Sequence, residues 1–436
     1  MSDYSIYAKR RAKLIEQMQN GVAVIPTADE RVRSRDAHYP YRFDSYFYYL
    51  SGFTEPGAVL VLMGGKKPRS ILFCRDKDPE REVWDGYRYG PGEARKRFGF
   101  DESHSFTKLD ELMPKLLADQ PVLHYAMGTD ERWDARIVGW LNSVRSQARS
   151  GVTAPAEIKD VRRILDEMRI IKGNRELALM RRAAEISTSA HRRAMRATRP
   201  GKKEFEIEAE LIHEFRRHGA QAPAYTPIVA GGANACVLHY VENSATLKDG
   251  DLLLIDAGCE LDGYASDITR TFPVNGRFRG AQKDVYQLVL AAQSAAIAVV
   301  KPGNAWDQPH DAALKVLAQG MIDLGLCKGS LDKVLESGDY KRFYMHRTGH
   351  WLGLDVHDAG DYKREGKWRE LKPGMVLTVE PGCYVRPAQD VPKKLWNIGV
   401  RIEDDVLVTA KGREVLTSAA PKKIEDIEKL MQTHAA

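Results

Sequence analysis

Short apolar runs alternate with amphipathic patterns over the first 150 residues of the chain. Buried strands are predicted for four of these runs, at residues 21–25, 58–63, 70–74 and 122–126. Helices are predicted where apolar residues recur every three to four positions, at residues 9–18, 108–117 and 132–143. Strands mixed with helices in this way predict a small α/β domain.

A turn-rich segment, SGVTAPAE at residues 150–157, interrupts this pattern and is followed by a charged helix pattern at 158–168. We therefore predict an N-terminal α/β domain over residues 1–168 and a C-terminal domain over 169–436.

The second domain contains two similar stretches. In each, a helix pattern runs into a Pro-Gly turn and a second helix follows: 174–197 with 203–218, and 281–300 with a helix ending at 324. A strand then ends in an acid-x-Gly-Cys string, DAGC at 256–259 and EPGC at 380–383, and a further acid follows, Asp267 or Glu403. Pro-Gly turns alone recur by chance, but strings in the same register indicate an internal repeat with its acids facing a central cleft.

Composition narrows the class of protein. A length of 436 residues suits two domains, and the net charge of +6 is small, with acidic and basic residues interspersed. Five cysteines form no CxxC pair, the first 20 residues lack a signal-peptide core, and no apolar run is long enough to span a bilayer. We expect a cytoplasmic protein with no nucleic-acid or membrane partner.

Five side chains at the ends of apolar runs are candidate metal ligands: Asp256, Asp267, His350, Glu380 and Glu403. Each alone has an ordinary explanation, such as a turn, a strand end or a core histidine. Four gathered carboxylates, however, would repel one another unless cations neutralised them. Oxygen donors with one imidazole suit Mn²⁺, with Co²⁺, Fe²⁺ or Zn²⁺ as alternatives. Two such ions would balance the charge, and a bridging water would ionise near neutral pH and attack a carbonyl.

Three other residues could assist that chemistry. His239 and His357 could stabilise a developing oxyanion, although a structural histidine is the commoner explanation of either pattern. Arg401, two positions before Glu403, would share its sheet face and could orient a carboxylate, but a surface salt bridge is as good an explanation.

Taken together, the strings IDAGCELDGYASDITRTFPV, HWLGLDVHDAG, EPGCY and GVRIEDD resemble the five-ligand signature of the aminopeptidase P branch of the Xaa-Pro peptidases. The N-terminal strings YPYRFDSYFYYLSGFTEPGAVLVL and WDGYRYGP resemble the first domain of that branch. The resemblance covers essentially the whole chain. It implies a C-terminal domain of the creatinase/methionine-aminopeptidase ("pita-bread") fold with a pseudo-twofold repeat, and a reaction that removes an N-terminal residue preceding proline.

The resemblance also implies a role for each residue. Asp256 would chelate one metal ion, Asp267 and Glu403 would bridge both, and His350 and Glu380 would hold the second, with manganese the usual metal. Glu380 would also carry the proton of the bridging water.

The remaining implied roles concern the substrate. His239 and His357 would contact it and stabilise the tetrahedral intermediate, so that the implied catalytic residues are Glu380, His239, His357 and His350. His346, Tyr384 and Arg401 would frame the proline ring. Trp84 would reach the site of a neighbouring subunit, which implies a homo-oligomer, either a dimer or a tetramer.

Two alternatives stay open. Prolidase uses the same metal site on Xaa-Pro dipeptides, but Trp351 and the string at 39–42 (YPYR) favour aminopeptidase P. A non-catalytic peptide-binding protein on this fold should lack several of the ligands, and all five are present here. One departure from the family pattern is Arg347-Thr348-Gly349, where many relatives carry Gly-Leu-Ser or Gly-Leu-Gly; it alters the loop beside the substrate pocket.

Overall fold

A computed structural model describes residues 4–432, and these divide into two compact units between Met168 and Arg169. Among the described residues, no helix is both long enough and apolar enough to cross a membrane.

The first unit is built on one six-stranded mixed sheet. The strands of this unit are β1 Val22–Pro26, β2 Val32–Ser34, β3 Ala37–His38, β4 Val59–Met63, β5 Arg69–Cys74, β6 Glu102–Ser105, β7 Val122–His124 and β8 Glu157–Lys159. The six-stranded sheet has the order β6-β5-β4-β1-β7-β8, and β2 pairs with β3 separately. Its helices are α1 Ser5–Met18, α2 Ser45–Ser51, α3 Pro79–Asp85, α4 Gly90–Phe98, α5 Leu109–Leu117, α6 Glu131–Arg145 and α7 Arg162–Ile170, the last of which crosses the boundary. The α/β architecture predicted for this region is confirmed.

The charged helix predicted at residues 158–168 is wrong at its start. Residues Glu157–Lys159 form the edge strand β8, which pairs in parallel with β7, and α7 begins only at Arg162. All three residues of β8 are exposed, so no apolar alternation marks the strand in the sequence.

The second unit surrounds a large apolar core with helices and several small sheets. Its helices are α8 Asn174–Ala197, α9 Glu204–Arg217, α10 Gly280–Ala298, α11 Gln308–Asp323, α12 Leu331–Ser337 and α13 Ile424–Gln432. Its strands are β9 Ala222–Pro223, β10 Ile228–Gly231, β11 Leu252–Asp256, β12 Cys259–Leu261, β13 Tyr264–Ala265, β14 Thr269–Pro273, β15 Lys363–Arg364, β16 Lys367–Trp368, β17 Val376–Val379, β18 Gly382–Val385, β19 Ile398–Arg401, β20 Asp404–Thr409 and β21 Gly412–Val415.

The predicted repeat is visible in the strand pairing of this unit. The helices α8 and α9 precede the strands of the first half, and α10 and α11 precede those of the second half. In the first half β11 pairs antiparallel with β14, and the hairpin β12–β13 lies between them in the chain. In the second half β17 pairs antiparallel with β20, and β18–β19 takes the place of that hairpin. Both halves therefore bring two acid-bearing strand ends to one edge.

Gly258 allows two chain segments of the first half to lie very close together. A Cβ atom on this residue would lie 1.7 Å from the carbonyl oxygen of Ser266, so only glycine fits. The chain segments that carry Asp256 and Asp267 are consequently held side by side.

The two halves are joined at these strand ends. The amide of Glu403 donates to the carbonyl of Thr269 at 3.0 Å, and the Thr269 hydroxyl donates to the Glu403 carboxylate at 2.7 Å. The amide of Asp267 in turn donates to the buried carboxylate of Asp405 at 3.1 Å. Each half thus positions an acid of the other.

Candidate metal centre

The five predicted ligands come together in one cavity of the second unit, with a volume of about 410 Å³. Asp256 ends β11, Asp267 lies two residues before β14, Glu380 follows β17, and Glu403 lies between β19 and β20. His350 reaches the cavity from the loop before β15. The predicted convergence of these residues is therefore present in the fold.

Three of them form the tightest group. One side-chain donor atom from each of Asp267, His350 and Glu403 lies within 4.8 Å of the others, which is compatible with a shared metal ion. The His350 Nε2 atom is 3.4 Å from an Asp267 oxygen and 3.9 Å from a Glu380 oxygen.

The orientation of His350 is set by two hydrogen bonds, one to Thr378 and one to the adjacent residue Trp351. Its backbone amide donates to Thr378 Oγ1 at 3.1 Å, and Nδ1 lies 2.9 Å from the carbonyl oxygen of Trp351. Because a carbonyl only accepts, Nδ1 carries the proton and Nε2 faces the acids. That is the arrangement found in histidines that ligate metals.

Asp256 is held by an arginine and by a tyrosine that the sequence analysis missed. Arg401 donates to Asp256 at 2.6 Å. Burial raises the pKa of Asp256, but the charge of Arg401 and the hydrogen bonds from Tyr225, Arg401 and Thr269 together outweigh burial and lower that pKa. The hydroxyl of Tyr225 lies 2.6 Å from Asp256 and also within hydrogen-bond distance of Asp267. Tyr225 occupies the loop between β9 and β10, in a string (PAYTP) without informative spacing.

The remaining acids are in surroundings that oppose their ionisation. Burial, together with the charges of Asp267 and Glu380, raises the pKa of Glu403 well above its usual value. Burial raises the pKa of Glu380 to about 7 and also raises the pKa of Asp267. Burial would lower the pKa of His350, but its hydrogen bond to Asp267 and the nearby acids raise it to about 9. Four crowded carboxylates and one imidazole suit the binding of divalent cations. Such ions would neutralise the acids, and they bind well to oxygen ligands.

The predicted substrate residues of the second unit surround the same cavity. His239, His346, His357 and Arg401 line it, and the rings of His350 and His357 are 4.3 Å apart. Tyr384 is almost fully buried behind two of them, with its hydroxyl 2.8 Å from His346 Nε2 and 3.0 Å from Arg401 Nη1. Trp84 belongs to the first unit, on α3, and its side chain is 83% exposed.

The loop that carries His239 is anchored by a buried acid. Glu204, with no solvent exposure, accepts hydrogen bonds from the amides of Gly231 and Ala245 and from the hydroxyl of Tyr240 at 2.7–2.8 Å. Since both ends of the loop are bound to one carboxylate, His239 is held in place at the cavity wall.

The loop that carries His357 is anchored by a buried ion-pair cluster. Asp358 accepts from Lys172 Nζ at 2.9 Å and from Arg169 at 2.5 Å, and the side chains of all three are at most 2% exposed. Burial raises the pKa of Asp358, but the charges of Lys172 and Arg169 and their hydrogen bonds together outweigh burial and lower that pKa. The carboxylate is therefore ionised at neutral pH and holds the backbone next to His357.

Two family models match the chain. The model described as metallopeptidase family M24 covers residues 178–410, and the model described as aminopeptidase P, N-terminal domain, covers residues 7–124.

Curated relatives and solved structures match over nearly the full length. The chain is 45% identical to the Xaa-Pro aminopeptidase of Haemophilus influenzae, over 98% of this chain and 96% of the relative. It is 44% identical to that of Escherichia coli, over 98% and 97% of the two chains. The structure of aminopeptidase PepP from Pseudomonas aeruginosa superposes with a TM-score of 0.97 at 49% identity, covering 99% and 98% of the chains. A zinc-substituted E. coli aminopeptidase P in complex with product gives 0.96 at 43% identity, with the same coverage.

Proposed function

This chain belongs to metallopeptidase family M24, and we propose that it is an Xaa-Pro aminopeptidase, which removes the N-terminal residue from peptides with proline at the second position. The observation that carries the proposal is the cavity that gathers four carboxylates and His350, in a chain similar over its whole length to Xaa-Pro aminopeptidases. Its C-terminal domain has the pita-bread fold of that family.

We further propose that Asp256, Asp267, His350, Glu380 and Glu403 hold two divalent ions and that these are Mn²⁺. The ions would lower the pKa of a water molecule and polarise the scissile carbonyl. The oxygen-rich donor set supports manganese, and the number of carboxylates supports two ions.

Besides holding metal, Glu380 is the group we propose to carry a proton to the leaving amine. The residues of the cavity that hold no metal would bind and orient the peptide. His239 and His357 line the cavity next to the ligands, where imidazole N–H groups can donate to the carbonyl oxygen as it becomes negative. His346 and Arg401 are both hydrogen-bonded to Tyr384, so the three form one rigid wall against which a proline ring can pack.

Removal and return of metal tests the function. The metal-stripped protein should be inactive, and added Mn²⁺ should restore release of the first residue from an Xaa-Pro-Xaa peptide. Liquid chromatography of the products measures both. Cleavage of an Xaa-Pro dipeptide but not of the longer peptide would identify prolidase instead, and no cleavage of either with metal bound would favour a peptide-binding protein.

Replacing His357 with alanine should slow turnover by about 10²–10³-fold, as the loss of one oxyanion donor does, and leave the metal content unchanged. Steady-state kinetics and elemental analysis of the purified variant measure the two quantities. A wild-type turnover number would remove His357 from the mechanism.

Assembly and location are proposals of the same kind. Trp84 and its neighbour Val83 are more than 80% exposed, which supports burial of this helix in a homo-oligomer, a dimer or a tetramer. A monomeric mass in sedimentation equilibrium would contradict the proposed oligomer.

The five cysteines are all buried free thiols, which supports the cytoplasm as the location.

A further inference from the structure

Arg347 is a cation in the wall of the cavity. Its charge acts on Asp311, where it opposes the rise in pKa that burial causes, but among residues 4–432 the two form no ion pair. The other arginine of the wall, Arg401, is bound to Asp256. Arg347 forms no ion pair with any carboxylate among residues 4–432; its guanidinium lies over the ring of Trp368 instead, 5.0 Å from the centroid. A planar guanidinium stacked in this way keeps its N–H donors available for a ligand.

A second cation shares the aromatic ring on which Arg347 lies. Lys363 Nζ lies 4.1 Å from the centroid of the same Trp368 ring, so two cations flank one aromatic side chain. Trp368 is half-buried on β16 and packs against the core of the unit, which fixes the ring. Because the two proposed ions balance the four carboxylates of the interior, the charges of Arg347 and Lys363 are left to attract an anionic group of a bound peptide.

The position of Arg347 in the chain indicates which part of the peptide it meets. It directly follows His346, which we have placed with Arg401 and Tyr384 around the proline ring. For a peptide that runs from this ring toward solvent along the same wall, the residue after the proline would pass the next side chain, Arg347. Arg347 lines the cavity at that point and is exposed to solvent.

We propose that Arg347 is a specificity-determining residue that binds a carboxylate on the residue immediately after proline. The preferred substrates would then be Xaa-Pro-Yaa peptides in which Yaa carries a carboxylate, at its C-terminus or in its side chain. This inference rests on the proposed function and names the substrate class of the same site.

Paired substrates test the inference on the manganese-loaded protein. Ala-Pro-Gly and Ala-Pro-Gly-NH₂ differ only in the C-terminal charge, and Ala-Pro-Glu-NH₂ and Ala-Pro-Gln-NH₂ differ only in the side-chain charge. We expect the charged member of at least one pair to have a kcat/KM about threefold to fivefold higher, through KM and not kcat, since a partly exposed ion pair has that strength. The preference should weaken as salt is added.

The variants identify the residue responsible. Arg347→Met should remove the preference, and Arg347→Lys should keep part of it. Arg342→Met should leave it unchanged; this control removes the same charge from a residue paired with Asp390 on the surface. Circular dichroism establishes that each variant is folded.

Each outcome bears on one claim. A preference in the first pair alone assigns the C-terminal carboxylate as the ligand, and a preference in the second pair assigns the side-chain carboxylate. No preference in either pair, or a preference that survives in Arg347→Met, would overturn the inference while the peptidase activity stands. Failure to cleave any of the four peptides would count against the proposed function itself.

Discussion

Replacing Glu403 with alanine should abolish peptide hydrolysis, with a loss of more than about 10³-fold, and should lower the bound metal. Its carboxylate lies within the tight group formed with Asp267 and His350. The family resemblance implies that both ions share this carboxylate, so its removal takes a donor from each. Elemental analysis of the dialysed protein and the release of the first residue of an Xaa-Pro-Xaa peptide measure the two effects.

A second ligand variant and a surface control test this result. Asp267→Ala should behave like Glu403→Ala, because we assign both carboxylates the same bridging role. Glu414→Ala, which breaks a surface pair with Arg181, should keep wild-type activity and metal content. Full activity in either Asp267→Ala or Glu403→Ala would contradict the bridging assignment.

Replacing Asp404 with alanine should lower the free energy of unfolding by about 3–5 kcal/mol, because it leaves buried cations without a counter-charge. Asp404 and Arg270 have fully buried side chains and are 2.7 Å apart, and Lys422 Nζ is 2.5 Å from the other oxygen of Asp404. Gln293 and Thr417 donate to the same carboxylate, at 2.9 and 2.7 Å. The acid is therefore the centre of a buried network.

Urea unfolding followed by circular dichroism, with and without added Mn²⁺, measures this loss and separates it from any effect of metal on stability. Asp390→Ala is the matched control, since its carboxylate pairs with Arg342 on the surface, and its unfolding midpoint should hardly change. An unchanged midpoint for Asp404→Ala would show that the network does not stabilise the fold.

The sequence was most informative where local pattern and local structure coincide. The helix predicted at residues 174–197 matches α8 at both ends, because a long amphipathic run and a Pro-Gly turn mark it. The acids at strand ends were found because carboxylates are unusual next to buried apolar runs. The edge strand β8 was missed, since its pairing with β7 leaves no trace in its own residues.

The supports of the site could not be found in this way. Tyr225 contacts Asp256 from 31 positions away, and Lys172 contacts Asp358 from 186 positions away. Glu204 is the first residue of α9, where an acid is favoured by the helix dipole without reference to His239. Such contacts depend on tertiary packing, which periodicity and spacing in one sequence do not encode.

The hydrogen bonds between Thr269 and Glu403 bear on how such a centre could have originated. Each half of the repeat supplies two of the four carboxylates, and Glu403 is oriented by a residue of the opposite half. A half-length ancestor would have held only two acids, and the residue of the other half that orients such an acid would have been missing. It could have gained a four-carboxylate centre only as a symmetric dimer, so duplication and fusion would have made permanent an assembly on which metal binding already depended.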